Sequence, residues 1–249
     1  MEWIFLSPHF DDIALSCGGI VWKYAQAGNK VSVWTICAGD PPEAALSAFA
    51  QELHARWQTG GQATEQRQAE DAESCRILGA ARRLFTIPDA IYRFNPDTGE
   101  HFYATPDSIF GELHPEEKPL ITTLSQAMRQ PQPENFQWVC PFALGGHVDH
   151  QLTRRAAEQI ATEYQISDVW YYADYPYALS NQEYFEELKR AGWLCNQYGI
   201  SEAGLQAWEE SITAHASQIS TFWQDRKSLH AAIRQYAAMP FGTCLWKKA

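Results

Sequence analysis

Short apolar runs alternate along this chain with longer stretches of helical period. Residues 3–6, 31–37, 84–87, 136–140 and 169–172 are brief, apolar and rich in β-branched or aromatic side chains, and they read as buried strands. Between them, 15–26, 43–58, 64–78, 119–128 and 151–164 predict helices. Gly28, the pair Gly60-Gly61 and Gly79 mark breaks or helix ends. Repeated βα units with short connections predict an α/β, Rossmann-like fold, a mostly parallel sheet sandwiched between helices. Residues 89–116 have no clear period and read as a long loop over whatever site the fold builds. Beyond them, 179–249 predicts additional C-terminal helical elements with one strand at 193–198.

Chemistry gathers where strands end. Strand 3–6 runs into Ser7-Pro8-His9-Phe10-Asp11-Asp12, and Pro8, lacking an N–H, stops the ladder. Ser16-Cys17-Gly18-Gly19 then lets the backbone pass close to something as a helix begins. Strand 136–140 is followed by Pro141 and by Gly145-Gly146-His147-Val148-Asp149-His150. Strand C-terminal ends share one edge of a parallel sheet, where α/β folds bind ligands. Two adjacent acids beside a histidine repel unless a cation or a shared proton offsets them. Histidine and carboxylate together suit zinc or a similar divalent metal, and three such ligands with an open position make a catalytic site. His9, Asp12 and His150 fit that set, leaving Asp11 and His147 to handle protons.

Each residue also has a plainer reading. His9 alone is a hydrogen-bonded turn histidine, Asp11-Asp12 or Asp149 a helix N-cap, and His147 and His150 solvated loop residues. Two clusters that both hold His and Asp, both after strands and both flanked by paired glycines, favour the joint reading.

The two motifs resemble the paired motifs of the LmbE-like (PIG-L) zinc N-deacetylases. Arg67-Gln68-Ala69-Glu70 looks like that family's Arg-x-x-Glu helix, and Ala214-His215-Ala216-Ser217-Gln218 is similar to a late Ser-Gln segment. The resemblance covers nearly the whole chain and implies a single domain over 1–249, with 1–178 the α/β core and 179–249 mainly helical. It implies His9, Asp12 and His150 as metal ligands (zinc, or Fe2+ in its place), Asp11 as general base, His147 as oxyanion stabiliser or acid, and Asp149 orienting His147. Arg67 would hold substrate; the plainer alternative is an ion pair on its own helix face with Glu70 or Asp71. The implied reaction is hydrolysis of an N-acetyl amide on an N-acetylglucosamine-type amino sugar or its conjugate. Two features depart from the family pattern: Ile13 stands where many members have an acid, and Gly145 where several have a tyrosine. Tyr171, Tyr172, Tyr175 and Tyr177 are candidates to fill that tyrosine's place. Because their segment follows strand 169–172, Asp174 and Tyr175 are also expected to contact a sugar.

Composition narrows the classes. A formal charge of −11 in 249 residues argues against nucleic acid or anionic lipid as partner. No apolar stretch is long enough to span a bilayer, and the N-terminus has neither the basic region nor the apolar core of a secretory signal. The six cysteines form no Cys-x-x-Cys pair, so buried thiols in a reducing cytoplasm are expected rather than disulfides. The resemblance implies a small-molecule amino-sugar or glycoconjugate partner, and a homo-oligomer is compatible with the composition. The rival classes are a metal hydrolase acting on another conjugate and a carbohydrate-binding protein that retains the fold without chemistry.

Overall fold

Alternation along the first strand divides the core in two. In β1 (Glu2–Ser7), Ile4 and Leu6 face one apolar cluster, and Trp3 and Phe5 face another. A strand buried on both faces needs helices on both sides. The computed structural model describes residues 1–43, 46–57, 63–129, 135–166 and 169–249, and the expected Gly60-Gly61 break lies outside them. The other strands are β2 (Lys30–Thr35), β3 (Ala81–Leu84), β4 (Phe136–Pro141), β5 (Val169–Tyr172), β6 (Leu194–Gln197) and β7 (Cys244–Lys247). They form one sheet in the order β3-β2-β1-β4-β5-β7-β6. The first five pair in parallel, while β7 runs antiparallel to both β5 and β6.

Helices α1 (Asp12–Gln26), α2 (Ala48–Trp57), α3 (Ala63–Leu78), α4 (Lys118–Met128) and α5 (Val148–Glu163) belong to the α/β part. Helices α6 (Gln182–Arg190), α7 (Glu202–Thr213), α8 (Ala216–Phe222) and α9 (Arg226–Ala237) follow it. On the Phe5 side, α1 contributes Ile13, Ile20 and Val21, and α3 contributes Cys75 and Leu78. On the Leu6 side, α4 contributes Leu124 and Met128, and α5 contributes Val148, Leu152, Ala156 and Ile160, a stripe at successive helical turns. The mostly parallel α/β sandwich is therefore as expected.

Three expectations are corrected. The third strand is Ala81–Leu84 and not 84–87; it pairs with Ser32–Thr35, whereas Thr86 and Pro88 make only isolated bridges to Cys37 and Gly39. Two arginines sit in this strand because it is an edge: Arg82 reaches Asp71, and Arg83 lies over Trp34 at 4.3 Å. The region 179–249 is not only helical with one strand. It adds β6 near the expected place and also β7, a short apolar run that sits between β5 and β6. Finally, Cys195 and Cys244 form a disulfide across β6 and β7, with Cα atoms 5.9 Å apart. The antiparallel register sets these two residues diagonally opposite. Cys17, Cys37, Cys75 and Cys140 are free and buried, as expected.

What passes close to Gly18 and Gly19 is the indole of Trp208 on α7. A Cβ at either glycine would come within 2.7 Å of that ring. At Cys17 (φ −151°, ψ 23°) α1 leaves helical geometry, and Trp208 Nε1–H donates to the Ala14 carbonyl at 2.5 Å. The C-terminal helices are thereby docked onto the helix that begins at Asp12. Gly19→Ala is expected to lower unfolding free energy by about 1–3 kcal/mol, the usual cost of overpacking a filled core. Urea denaturation of the two proteins checks this, and equal midpoints would contradict the tight contact.

Candidate active site

The strand order places the two motifs together. From β1 the chain winds outward through β2 and β3, and β4 then starts on the other side of β1. The gap between the C-terminal ends of β1 and β4 is the topological switch point of the sheet, where open α/β sheets bind ligands. Both motifs open helices there, with α1 starting at Asp12 and α5 at Val148.

The rings of His9, His147 and His150 lie with centroids 4.9–5.6 Å apart. His9 Nδ1 is 3.1 Å from Asp12 Oδ2, and His150 Nε2 is 3.3 Å from Asp12 Oδ1. One ligand atom from each of His9, Asp12 and His150 lies within 4.8 Å of the others. The second nitrogen of each histidine is engaged by a carboxylate: His9 Nε2 with Asp149 Oδ2 at 2.9 Å, and His150 Nδ1 with Asp174 Oδ1 at 2.7 Å. Metal-binding histidines characteristically have such partners, which fix tautomer and orientation. His9, His147 and Asp149 make a second possible set. It fits less well, because Asp149 is fully buried and its oxygens already serve His9, Arg93 and the Ala90 N–H.

Charge in the site favours a cation. Burial alone would depress His9, but Asp89 and hydrogen bonds to Asp12 and Asp149 raise its pKa well above the ordinary value. Burial likewise opposes the charged form of His150, and Asp12 and Asp174 outweigh it, bringing its pKa to about 9. Asp12 is held well below the usual carboxylate range, because the two histidines outweigh its burial. The carboxylates thus draw positive charge between them, and the donor set suits a divalent metal.

Asp11 takes no part in this set. It begins α1 without a side-chain cap, and Arg67 Nη2 lies 3.4 Å from its Oδ1. Arg67 reaches from α3 into the site, with Asp89 at 3.7 Å and its guanidinium between the rings of Phe10 and Trp57 at 5.3 and 5.0 Å. It is buried, and its ion-pair partners are Asp11 and Asp89, not Glu70 or Asp71 on its own helix. His147 caps α5: its Nδ1 accepts the Asp149 N–H at 3.2 Å, which leaves the ring proton on Nε2. Burial first, and then the charge of His9, push its pKa down to about 3, which favours the neutral ring.

Two expected roles are corrected by these contacts. Asp149 does not orient His147 through its carboxylate, which is taken up by His9 and Arg93; it holds His147 only through its backbone N–H. Asp174 does not face a sugar. It is fully buried, accepts from Leu144 N–H at 3.2 Å and engages His150. Tyr175 does line the pocket, stacked on Trp223. Among the four candidate tyrosines, Tyr177 occupies the space beside Gly145: a Cβ at Gly145 would lie 2.4 Å from the Tyr177 ring. Tyr171 and Tyr172 are core residues, the latter donating to the Leu6 carbonyl.

The pocket above these groups encloses about 280 Å³. Its floor is His9, Asp11, Asp12, Arg67, Asp89, His147 and His150, and its walls are largely apolar, with Phe49, Leu53 and Trp57 from α2 and Phe222 from α8. Pro106, Ile109 and Phe110 line it too, so the 89–116 segment does border the site. Asp89 and Arg93 escaped the sequence reading. Asp89 follows the third strand-like run, and the rule that found the other two clusters would have found it. Arg93 stands alone in a stretch without period and carries no such signal.

Comparisons with known proteins give the family and the shared fold. Residues 4–161 match the family model described as PIG-L, GlcNAc-PI de-N-acetylase. A 2'-N-acetylparomamine deacetylase of Niallia circulans is 28% identical over 207 residues, covering 77% of this chain and 71% of that protein. The solved structure of the A40926 pseudoaglycone deacetylase Dbv21 has a TM-score of 0.72 at 26% identity, over 98% of this chain and 95% of that one. The zinc-inhibited form of the teicoplanin deacetylase Orf2 has a TM-score of 0.76 at 23% identity, over 99% and 97%, which shows the shared fold.

The family match ends at residue 161, yet α8 closes the pocket. Glu70 on α3 makes the connection: Ser217 donates to it twice, through N–H at 2.9 Å and Oγ at 2.6 Å, and Gln218 beside it lines the pocket. The Arg-x-x-Glu and Ser-Gln segments are thus two halves of one joint. Glu70→Ala is expected to destabilise the protein by about 1.5–3 kcal/mol, the scale for hydrogen bonds to a charged group. Urea unfolding reads this directly, and an unchanged midpoint would show that the joint carries no load.

Proposed function

The chain belongs to the PIG-L family, and from that premise we propose that it hydrolyses the N-acetyl amide of an N-acetylglucosamine-type amino sugar or its conjugate. The observation that carries this reading is the convergence of His9, Asp12 and His150 with Asp11 and His147, both outside that set, on one pocket floor. By their own descriptions, one relative named above is a deacetylase of 2'-N-acetylparomamine and another a deacetylase of the A40926 pseudoaglycone.

His9, Asp12 and His150 hold the divalent metal, with zinc the first candidate on ligand chemistry and Fe2+ the second. A metal held there supplies Lewis-acid charge and lowers the pKa of a water toward ~7. The chain's own residues do the rest. Asp11, turned toward the pocket by Arg67, accepts a proton from the attacking water and returns it to the leaving nitrogen. His147 Nε2–H donates to the carbonyl oxygen as it gains negative charge. Because Nδ1 is occupied by the Asp149 N–H, the ring cannot rotate to present the wrong nitrogen without losing that bond. Bond cleavage releases acetate and the free amine. Arg67, Asp89 and Gln218 offer polar contacts to sugar hydroxyls, and Tyr175, Tyr177 and Phe110 offer ring faces.

Acetate release from a panel of N-acetyl amino sugars and their conjugates, with metal-loaded and chelated protein, tests the reading. Turnover is expected with metal and not without it; a metal-loaded protein that releases no acetate from any of them would argue for a binding role. Asp11→Asn should keep its metal and lose at least ~100-fold in kcat, the scale for removing a general base. A near-normal rate in that variant would reduce Asp11 to an ion-pair residue. His147→Ala should lower kcat by roughly 100-fold with little change in KM, because the donor acts on charge that develops in the transition state. A change confined to KM would move His147 to ground-state binding.

A further inference from the structure

Behind His9 lies a chain of buried charges that the reaction itself does not use. Residues 89–117 contain three short 3-10 turns, Ala90–Tyr92, Ser108–Phe110 and Pro115–Glu117, and Arg93 follows the first. Arg93 Nε donates to Glu117 Oε1 at 2.5 Å, and Nη2 to Glu117 Oε2 at 3.3 Å. Nη1 donates to Asp149 Oδ1 at 2.5 Å and to the Pro88 carbonyl at 3.0 Å. Tyr103 Oη–H donates to Glu117 Oε2 at 2.5 Å from within the same segment. Arg93, Glu117, Tyr103 and Asp149 are all buried. A segment that merely covered a pocket would have no use for a desolvated guanidinium, whose burial is costly unless its donors are met. All three of its nitrogens are met here, one of them by the carboxylate that engages His9.

We propose that Arg93 is a positioning residue of the metal centre: it fixes Asp149 as the acceptor for His9 Nε2, so that His9 Nδ1 is presented toward Asp12. The 89–117 segment is then part of the metal site and not only its cover. This rests on the reading of His9 as a metal ligand. The geometry leaves Asp149 little else to hold it. Its other partners are the His9 ring, the buried Cys37 thiol and the Ala90 N–H, and the Ala90 N–H belongs to the same segment that Arg93 anchors. Without the guanidinium, a fully buried carboxylate has no permanent cation beside it, and its orientation toward His9 is no longer enforced.

The test is a zinc titration of metal-free full-length protein against a competing chelator, with folding followed by near-ultraviolet circular dichroism. Arg93→Met is expected to weaken zinc binding by about 10- to 100-fold, the usual effect of losing the partner that orients a ligand. Arg93→Lys, which keeps the charge but not the fork of donors, is expected to lose less. If Arg93→Met does not fold, Arg93→Lys is made both alone and together with Asp149→Asn. The lysine should weaken zinc binding when Asp149 is intact and have little further effect once Asp149→Asn is present, because Arg93 acts through Asp149. Unchanged zinc affinity in folded Arg93→Met, or equal effects of Arg93→Lys with and without Asp149→Asn, overturns the inference alone. A wild-type protein that binds no zinc, or a His9→Ala variant that binds it equally well, overturns the metal reading and this inference with it.

Discussion

The structure is organised by the need to keep like charges together out of water. Asp11, Asp12, Asp89, Asp149 and Asp174 are all buried around three histidines at one edge of the sheet. Such a cluster is stable only if every carboxylate has a cation or donors fixed beside it. Arg67 serves Asp11 and Asp89, Arg93 serves Asp149, and the histidines serve Asp12 and Asp174. Those partners come from α3, from the long segment after β3 and from the two motif turns, so the demand for neutralisation ties distant parts of the chain to one point.

This demand explains a helix that otherwise breaks the rules. The buried residues of α3 are Ala63, Thr64, Arg67, Asp71, Ser74, Cys75 and Leu78, so polar side chains are buried through most of its length and apolar Cys75 and Leu78 at its C-terminal end. A helix with a uniformly apolar stripe would lie flat on the sheet. This one is a core helix at its C-terminal end and part of the site at its N-terminal end. Burial, with Arg82 beside it only partly offsetting, raises the Asp71 pKa to about 6, a mark of how far the low-dielectric region extends along it.

What was legible in the sequence was whatever depends on local pattern. The parallel core, the two motifs and the candidate metal ligands follow from apolar runs and the His and Asp that terminate them. What was not legible depends on pairing across space. The family resemblance implies a side-chain pair of Asp149 and His147, but the helix start turns the carboxylate toward His9 and Arg93 instead. Asp174 reads as a sugar contact because its tyrosine-rich segment follows strand 169–172, and the parallel pairing of β4 with β5 carries it against His150. The displaced bounds of β3 have the same origin: arginines are poor strand residues by composition, and only an edge position with a polar neighbour makes them acceptable. Strand β7 is short and close to the end of the chain, and its place was set by β5 and β6 rather than by its own length.

Gly145 and Tyr177 share a single volume. The glycine has φ +81°, and its missing side chain is where the Tyr177 ring lies, edge-on to His150 with centroids 6.2 Å apart. A ring can enter this corner of the pocket from the turn after β4 or from the turn after β5, but not from both. In this chain the two positions are therefore coupled by sterics: a side chain at 145 and the Tyr177 ring exclude each other. A bulky residue acquired at 145 becomes tolerable only after 177 has been emptied, and the intermediate with neither leaves the flank of His150 open to solvent.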